Sequence, residues 1–271
     1  MLNPARVRGA ARVAARCAAA ARAGGWDWLL AETTADDPGT GLARDAVRAG
    51  ARLIVAVGGD GTVRACAQAL AGTAVPLAIV PRGTANLAAR ALGIPSRLDA
   101  ALACGLTGHD RRIDLAAADG LTFVAMAGLG TDAAVVGAAP AGLKARTGWL
   151  AYAATGAWHA PGRPAAFDIS LDGMPLACRA RSVVVGNAGL LPGGFVLLPA
   201  ARLDDGQLDV GVLAPASLLG WARVARRVEL RADREMPRQA DGEMIEPGRS
   251  LTVTVLPAAL LVRVPGCGAP R

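Results

Sequence analysis

The sequence is short of the side chains that most often carry binding and redox chemistry. Lys144 is its only lysine, so nearly all basic charge is arginine. Aromatic residues make up 3% of the chain, and no lysine- or arginine-dense tail is present. The interleaved stacking and charge of nucleic-acid binders is therefore missing, and no nucleic-acid partner is expected. Histidine occurs twice, as His109 and His159, and the five cysteines form no C-x-x-C pair, so no Cys/His zinc site is expected. Odd, scattered cysteines suit a reducing cytoplasm. No apolar h-region follows the arginine-bearing N-terminus, and charge or proline interrupts every apolar run before it could span a bilayer. These absences predict a cytoplasmic protein without a transmembrane segment, at most peripheral on the inner face of the membrane.

What is present is alanine, glycine and arginine. The 271 residues can bury a large core and fit two modest domains. The formal charge of +7 favours anionic partners such as nucleotides or phospholipid headgroups. An Ala/Arg/Gly/Pro bias of this kind more often reflects a GC-rich genome than a function, so that charge carries little weight alone.

The first hundred residues alternate in the manner of an α/β layer domain. Residues 5–23 form an amphipathic Ala/Arg pattern, and a short helix ends at Ala49 before Gly50. Leu53–Val57 and Pro76–Val80 are short continuous apolar runs, the pattern of buried parallel strands. Each runs into a glycine-containing loop and then a helical stretch, Val63–Leu70 in one case and up to Leu92 in the other. Beyond about His109 the texture turns β-rich. Strand-like segments fall at 112–116, 122–127, 166–171, 182–185, 208–213 and 251–255, with helical patterns at 132–158 and 217–231. The predicted organisation is an α/β nucleotide-binding domain over 1–108 and a β-rich domain over 109–271, with the C-terminal end packing back on the first.

Gly58-Gly59-Asp60-Gly61-Thr62 follows the first strand. A phosphate needs backbone N–H groups aimed at it with no side chain in the way. Glycine permits that approach, and a following helix adds its N-terminal donors and positive dipole end. Asp60 is the unusual member, because an acid repels phosphate unless a metal ion or a hydroxyl intervenes. On the loop alone, Mg²⁺ coordination, orientation of an acceptor hydroxyl and ordinary helix capping all stay open. Gly83-Thr84 lies 22 positions beyond Gly61-Thr62 and repeats strand, Gly-Thr and helix. Two such loops at the ends of adjacent parallel strands would converge on one crevice. No G-x-x-x-x-G-K-[ST] motif occurs, and Lys144 lies in no such setting, so P-loop and protein-kinase arrangements are excluded.

Gly58–Thr62 followed by Pro81-Arg82-Gly83-Thr84-Ala85-Asn86 resembles the diacylglycerol kinase catalytic family, which includes sphingosine kinases and bacterial lipid kinases. The resemblance extends through Asn3-Pro4, Thr33-Thr34, Gly128-Leu129-Gly130-Thr131-Asp132-Ala133, Leu203-Asp204-Asp205-Gly206-Gln207-Leu208-Asp209 and Asp241-Gly242-Glu243. It implies a nucleotide domain like those of phosphofructokinase and NAD kinase, followed by a β-sandwich domain that helps to bind lipid. It also implies ATP and Mg²⁺ as cofactors, and a lipid substrate such as diacylglycerol met at the membrane surface, with a place in lipid metabolism and phospholipid biosynthesis. The nucleotide would lie against Asn3, Thr34, Gly58, Gly59, Asp60, Gly61, Thr62, Gly83, Thr84 and Asn86. Of Asp241 and Glu243, one would act as general base toward the lipid hydroxyl and the other would help to place it or the metal network, with Asp60 as a further catalytic carboxylate. Asp205, with the backbone carbonyls of Arg202 and Gln207, would hold a structural Mg²⁺.

The sequence departs from the family at named points. Ala65 stands where the family has Glu, most of the first strand before Asn3-Pro4 is missing, the stretch between Trp221 and Asp241 is short, and Thr131 replaces Phe. Two other readings stay open: a soluble-substrate kinase of the NAD-kinase kind, and a catalytically weak nucleotide- or lipid-binding homologue. A homodimer is left open as well. Leu218, Trp221, Ala225 and Val228 would share one face of a basic amphipathic helix, a pattern able to dock on anionic lipid but more ordinarily a helix covering its own core.

Overall fold

Residues 1–130, 163–190, 196–213 and 222–266 are described by the computed structural model. The chain divides into two compact units, Met1–Ile113 with the C-terminal segment from Ala258, and Asp114–Pro257.

In the first unit, helix α1 (Ala10–Ala23) buries Val13, Cys17 and Ala21, a stripe at i, i+4 and i+8 that its alanine background makes narrow. The helix starts five residues later than the amphipathic pattern suggested. Asn3 O accepts from Arg6 N and Val7 N in a tight turn, and Gly9 takes φ +66° just before the first helical residue. Helix α2 (Thr40–Arg48) is started by Asp37, whose carboxylate accepts the N–H groups of Gly39 at 2.9 Å, Gly41 at 3.1 Å and Leu42 at 2.8 Å. Partial burial pushes the Asp37 carboxyl up, but these backbone donors together outweigh it and hold its pKa below the usual 3.8. Its stabilising contribution is therefore complete above the ordinary carboxylate pKa and is lost as pH falls through the depressed folded value. Asp37→Ala is expected to cost about 1–2 kcal/mol in urea unfolding at neutral pH, and less once pH falls through the depressed folded pKa.

Strands β1 (Ile54–Gly58) and β2 (Leu77–Pro81) pair in parallel with register Ile54↔Leu77 through Gly58↔Pro81. Helix α3 (Asp60–Leu70) follows β1, and helix α4 (Leu87–Ala91) follows β2. Helix α5 (Leu98–Thr107) was not apparent from periodicity, because alanine fills most of both faces; it buries Ala101, Leu102, Cys104 and Gly105. Leu2 bridges Val57 on one side and Glu32 on the other, both in parallel.

The second unit is antiparallel. Strand β3 (His109–Ala118) enters it, and β4 (Leu121–Phe123) and β5 (Met126–Gly130) follow. Then come β6 (Ala165–Leu171), β7 (Met174–Ala180), β8 (Ser182–Gly186), β9 (Leu208–Leu213), β10 (Ala222–Ala225), β11 (Arg227–Ala240) and β12 (Glu243–Val264). Strand β12 continues into the first unit, where Val262 pairs with Leu77.

Besides β12, strand β11 serves two sheet partners. Its first half pairs with β6 from Val228 to Ala232, its second half pairs with β5 from Arg238 to Ala240, and the register with β12 shifts between Arg231 and Arg238. That irregularity bends the strand from one layer to the other, as a β-sandwich requires. Phe123, Phe167, Leu129, Leu208, Leu230 and Leu251 fill the space between, all fully buried. The helical pattern read at 217–231 is overturned over its described part, where β10 and β11 run. Alternation buries Ala225, Val228, Leu230 and Ala232, and a period of two fits the later three better than a helical one. The pattern at 132–158, and Leu218 and Trp221, lie outside the described residues.

Candidate active site

In the first unit the nominated nucleotide residues share the C-terminal ends of adjacent parallel strands. Met1–Asn3, β1 and β2 run in one direction, and Asn3 N donates to Val57 O at 3.2 Å. The Asn3 carboxamide accepts Arg6 N at 3.1 Å, and the Thr34 hydroxyl accepts Asp37 N at 3.0 Å, so each caps the turn that follows its strand. Neighbouring Thr33 is buried, and its hydroxyl has no hydrogen-bond partner.

The two glycine loops touch. A Cβ on Gly83 would stand 2.5 Å from Gly59 Cα, and one on Gly59 would stand 3.1 Å from Gly83 Cα. Arg82 N donates to Gly58 O at 2.7 Å, and Asp60 Oδ1 accepts Leu87 N at 2.6 Å. Asp60 therefore opens α3 and caps α4 with one side chain, and only two facing glycines allow that separation. Asn86, at φ +49°, closes the second loop: its Oδ1 accepts Gly83 N at 2.9 Å and its Nδ2 donates to Gly83 O at 2.8 Å. Thr62 is buried against Gly58, where a Cβ would meet its hydroxyl at 2.5 Å, while Gly61 faces open space. The first amides of α3 have no acceptor within their own helix, and open space before them suits an anion. Gly83→Ala is expected to force the loops apart, weakening ATP binding at least about tenfold by calorimetry while the β-rich unit keeps its fold.

In the second unit Asp241 and Gly242 form a two-residue turn between paired Ala240 and Glu243, with φ +48° and +79°. Asp-Gly suits the type I′ hairpin that these angles describe. The Asp241 carboxylate is engaged by three main-chain donors: Val124 N at 2.8 Å, Ala125 N at 2.8 Å and Met126 N at 3.1 Å. Asp241 N donates back to Met126 O at 2.8 Å, and Gly242 N donates to the buried Gln239 side chain at 2.9 Å. Asp241 thus has the geometry of an anchor, and the Glu243 side chain stands exposed beside it.

The Leu203–Gln207 turn carries the nominated cation ligands. Asp205 is exposed and its Oδ1 accepts Gln207 N at 3.0 Å. Gly206, at φ +70°, donates its N–H to the buried Asp114 carboxylate at 2.7 Å, and Asp114 N donates to Leu203 O at 2.6 Å. Burial, with the Asp205 charge second, pushes the Asp209 carboxyl up to about 6. Among the described residues no three His, Cys, Asp or Glu side chains gather as a metal site. A cation here would draw on the Arg202 and Gln207 carbonyls beside the Asp205 carboxylate. That all-oxygen donor set is of the kind that suits Mg²⁺. Sequence reasoning missed Asp114, Asn187 and Gln239; for the first two the one signal was a polar residue interrupting or ending an apolar strand.

Residues 2–118 match the diacylglycerol kinase catalytic domain, and residues 125–264 match the YegS C-terminal NAD kinase beta sandwich-like domain. The chain belongs to the diacylglycerol kinase catalytic family. A protein of Pseudomonas aeruginosa named "Probable lipid kinase YegS-like" is 38% identical over 93% of this chain and 89% of its own length. Its namesake in Pseudomonas fluorescens is 35% identical over 91% and 88%. A diacylglycerol kinase of Bacillus anthracis superposes with a TM-score of 0.80 at 22% identity, over 97% of this chain and 94% of that one. An NAD kinase of Archaeoglobus fulgidus in complex with ATP superposes at 0.53 and 15% identity, over 92% and 88%. These two likenesses concern the fold. The kinase is thus a family member with a nucleotide-type α/β domain and an NAD kinase-like β-sandwich. No described helix is long and apolar enough to cross a membrane.

Proposed function

We propose that this kinase transfers the γ-phosphoryl group of ATP to the hydroxyl of diacylglycerol or another hydroxylated lipid, at the cytoplasmic surface of a membrane. The observation that carries the reading is the pair of interlocked glycine loops. They offer main-chain donors to a phosphate chain without a lysine, and their Asp60 is fixed at the loop junction. The names of relatives more than a third identical along nearly their whole length favour a lipid as acceptor.

In the proposed reaction the lipid oxygen forms a bond to the γ-phosphorus as the bond from that phosphorus to the bridging oxygen breaks, and ADP leaves. Glu243 accepts the hydroxyl proton, and Asp241 holds the turn that carries Glu243. Phosphoryl transfer passes through a loose transition state, so these residues act chiefly by position and charge. Gly58–Thr62, with Gly83, Thr84 and Asn86, binds the phosphates, and Asn3 and Thr34 border the nucleotide. Mg²⁺ neutralises phosphate charge when bound. Asp60 would help to hold it or would orient the acceptor hydroxyl. The Asp205 carboxylate, with the Arg202 and Gln207 carbonyls, would hold a second, structural Mg²⁺.

The test supplies radiolabelled ATP with vesicles of total lipid extract and, separately, with NAD, and separates products by thin-layer chromatography. Labelled phospholipid, lost in Asp60→Ala, is the expected result. Labelled NADP with unlabelled lipid would overturn the lipid assignment in favour of the soluble-substrate reading. ATP binding by calorimetry with no product from either acceptor would favour a non-catalytic homologue.

A further inference from the structure

One buried side chain in the second unit joins the turns assigned to the base and to the structural cation. Asn187 follows strand β8 and is fully buried. Its Nδ2 donates both hydrogens, to Asp114 O at 2.9 Å and to Val124 O at 2.9 Å. Its own N–H and that of Ala188 both donate to Ala125 O at 2.8 Å. The stretch from Val124 to Met126 is therefore gripped from two sides. Asn187 and Ala188 take up its carbonyls, while the Asp241 carboxylate takes up its amides.

Asp114, the second acceptor of Asn187, holds Gly206 N through its carboxylate. A continuous path of hydrogen bonds and short backbone steps thus runs from the Asp205–Gln207 turn through Asp114, Asn187 and Val124 to Asp241, two residues from Glu243. Fixed glycines deepen the constraint. A Cβ on Gly186 would meet Leu198 Cδ1 at 2.5 Å, and one on Gly189 would meet Leu198 O at 2.0 Å, so the backbone on both sides of Asn187 is closely packed.

The Asn187 Oδ1 is buried with no hydrogen-bond partner. An unsatisfied buried acceptor destabilises a fold, and an apolar residue of similar size would remove that cost. The side chain is explained by its two donors, which no apolar residue supplies.

We infer that Asn187 is a positioning residue for Glu243, acting through Val124–Met126 and Asp241. The inference rests on Glu243 as the base of the proposed reaction. Displacing a reacting group by about an ångström costs rate without touching the binding of a distant ligand. Asn187→Ala and Asn187→Ser are therefore expected to lower kcat by about tenfold or more with KM for ATP unchanged within about twofold. Serine retains one donor and is expected to lose less than alanine. Ile169→Val, a core truncation in the same unit away from the turn, controls for lost stability and is expected to leave kcat near the wild-type value.

Hydrogen exchange measures the same frame without activity. In the wild-type protein the amides of Val124, Ala125, Met126 and Gly242 are expected to open together, and in the Asn187 variants to exchange faster while Gly59–Thr62 is unchanged. Independent opening of these amides in the wild type would overturn the inference. So would variants with unaltered kcat, or a KM for ATP rising in step with the loss of kcat. If the wild-type protein labels no lipid, the proposed function fails, and the exchange pattern still decides the role of Asn187.

Discussion

Asp60→Ala is expected to lower lipid phosphorylation at least about a hundredfold, the largest loss from any single change in the glycine loops. Two effects combine in this variant. The proposed charge beside the phosphates disappears, and Leu87 N loses the acceptor that it meets at 2.6 Å, so α4 loses its cap. A lost cap costs about 1 kcal/mol, a fall in Tm of roughly 2–4 °C for a protein of this size. Asp60→Asn separates the effects, because its amide oxygen can still accept from Leu87 N. Asparagine is expected to keep most of the stability and to lose most of the transfer. Calorimetric melting and initial rates on lipid vesicles measure both. Transfer within a few-fold of wild type in Asp60→Asn would leave Asp60 a helix cap and nothing more.

The dual contact of Asp60 also shows what could be read from the residues. Strand, loop and helix order at 53–92 was legible because apolar runs and Gly-Thr punctuation mark a buried parallel pair without competing signals. That the two loops would meet was legible from their matched spacing. That Asp60 would cap the helix after the other loop was not, since the contact spans 27 residues and depends on facing glycines. Helix α5 escaped because an alanine-rich helix has little contrast between its faces. The helix read at 217–231 failed for a related reason: Ala225 and Val228 satisfy a helical spacing as readily as an alternating one, and neighbouring strands decide the outcome. Asp-Gly is a common hairpin-turn pair, so a turn at Asp241-Gly242 is legible from residue type. The division of labour within it is not, because the acceptors and donors that engage Asp241 lie more than a hundred positions away.

That division leads to the second large effect. Glu243→Gln is expected to reduce transfer by about 10²–10⁴-fold with Tm within about 2 °C of wild type, because an exposed carboxylate gives up its proton-accepting role at little structural cost. Asp241→Ala is expected to do the reverse in proportion. Three amides at 2.8–3.1 Å lose a charged acceptor, and hydrogen bonds to a charged group contribute about 1.5–3 kcal/mol each. Unfolding in urea should therefore report a loss of about 3 kcal/mol or more. Its residual rate, corrected for the folded fraction, should exceed that of Glu243→Gln, since the base is still present on a loosened turn. The Asp241→Asn variant sharpens the comparison: its amide oxygen can accept from one or two of the three donors, so its stability should lie between alanine and wild type. The roles would be reversed by a stable Asp241→Asn without transfer alongside an active Glu243→Gln. An anchor and a base on one hairpin are distinguished by which variant loses structure before it loses rate.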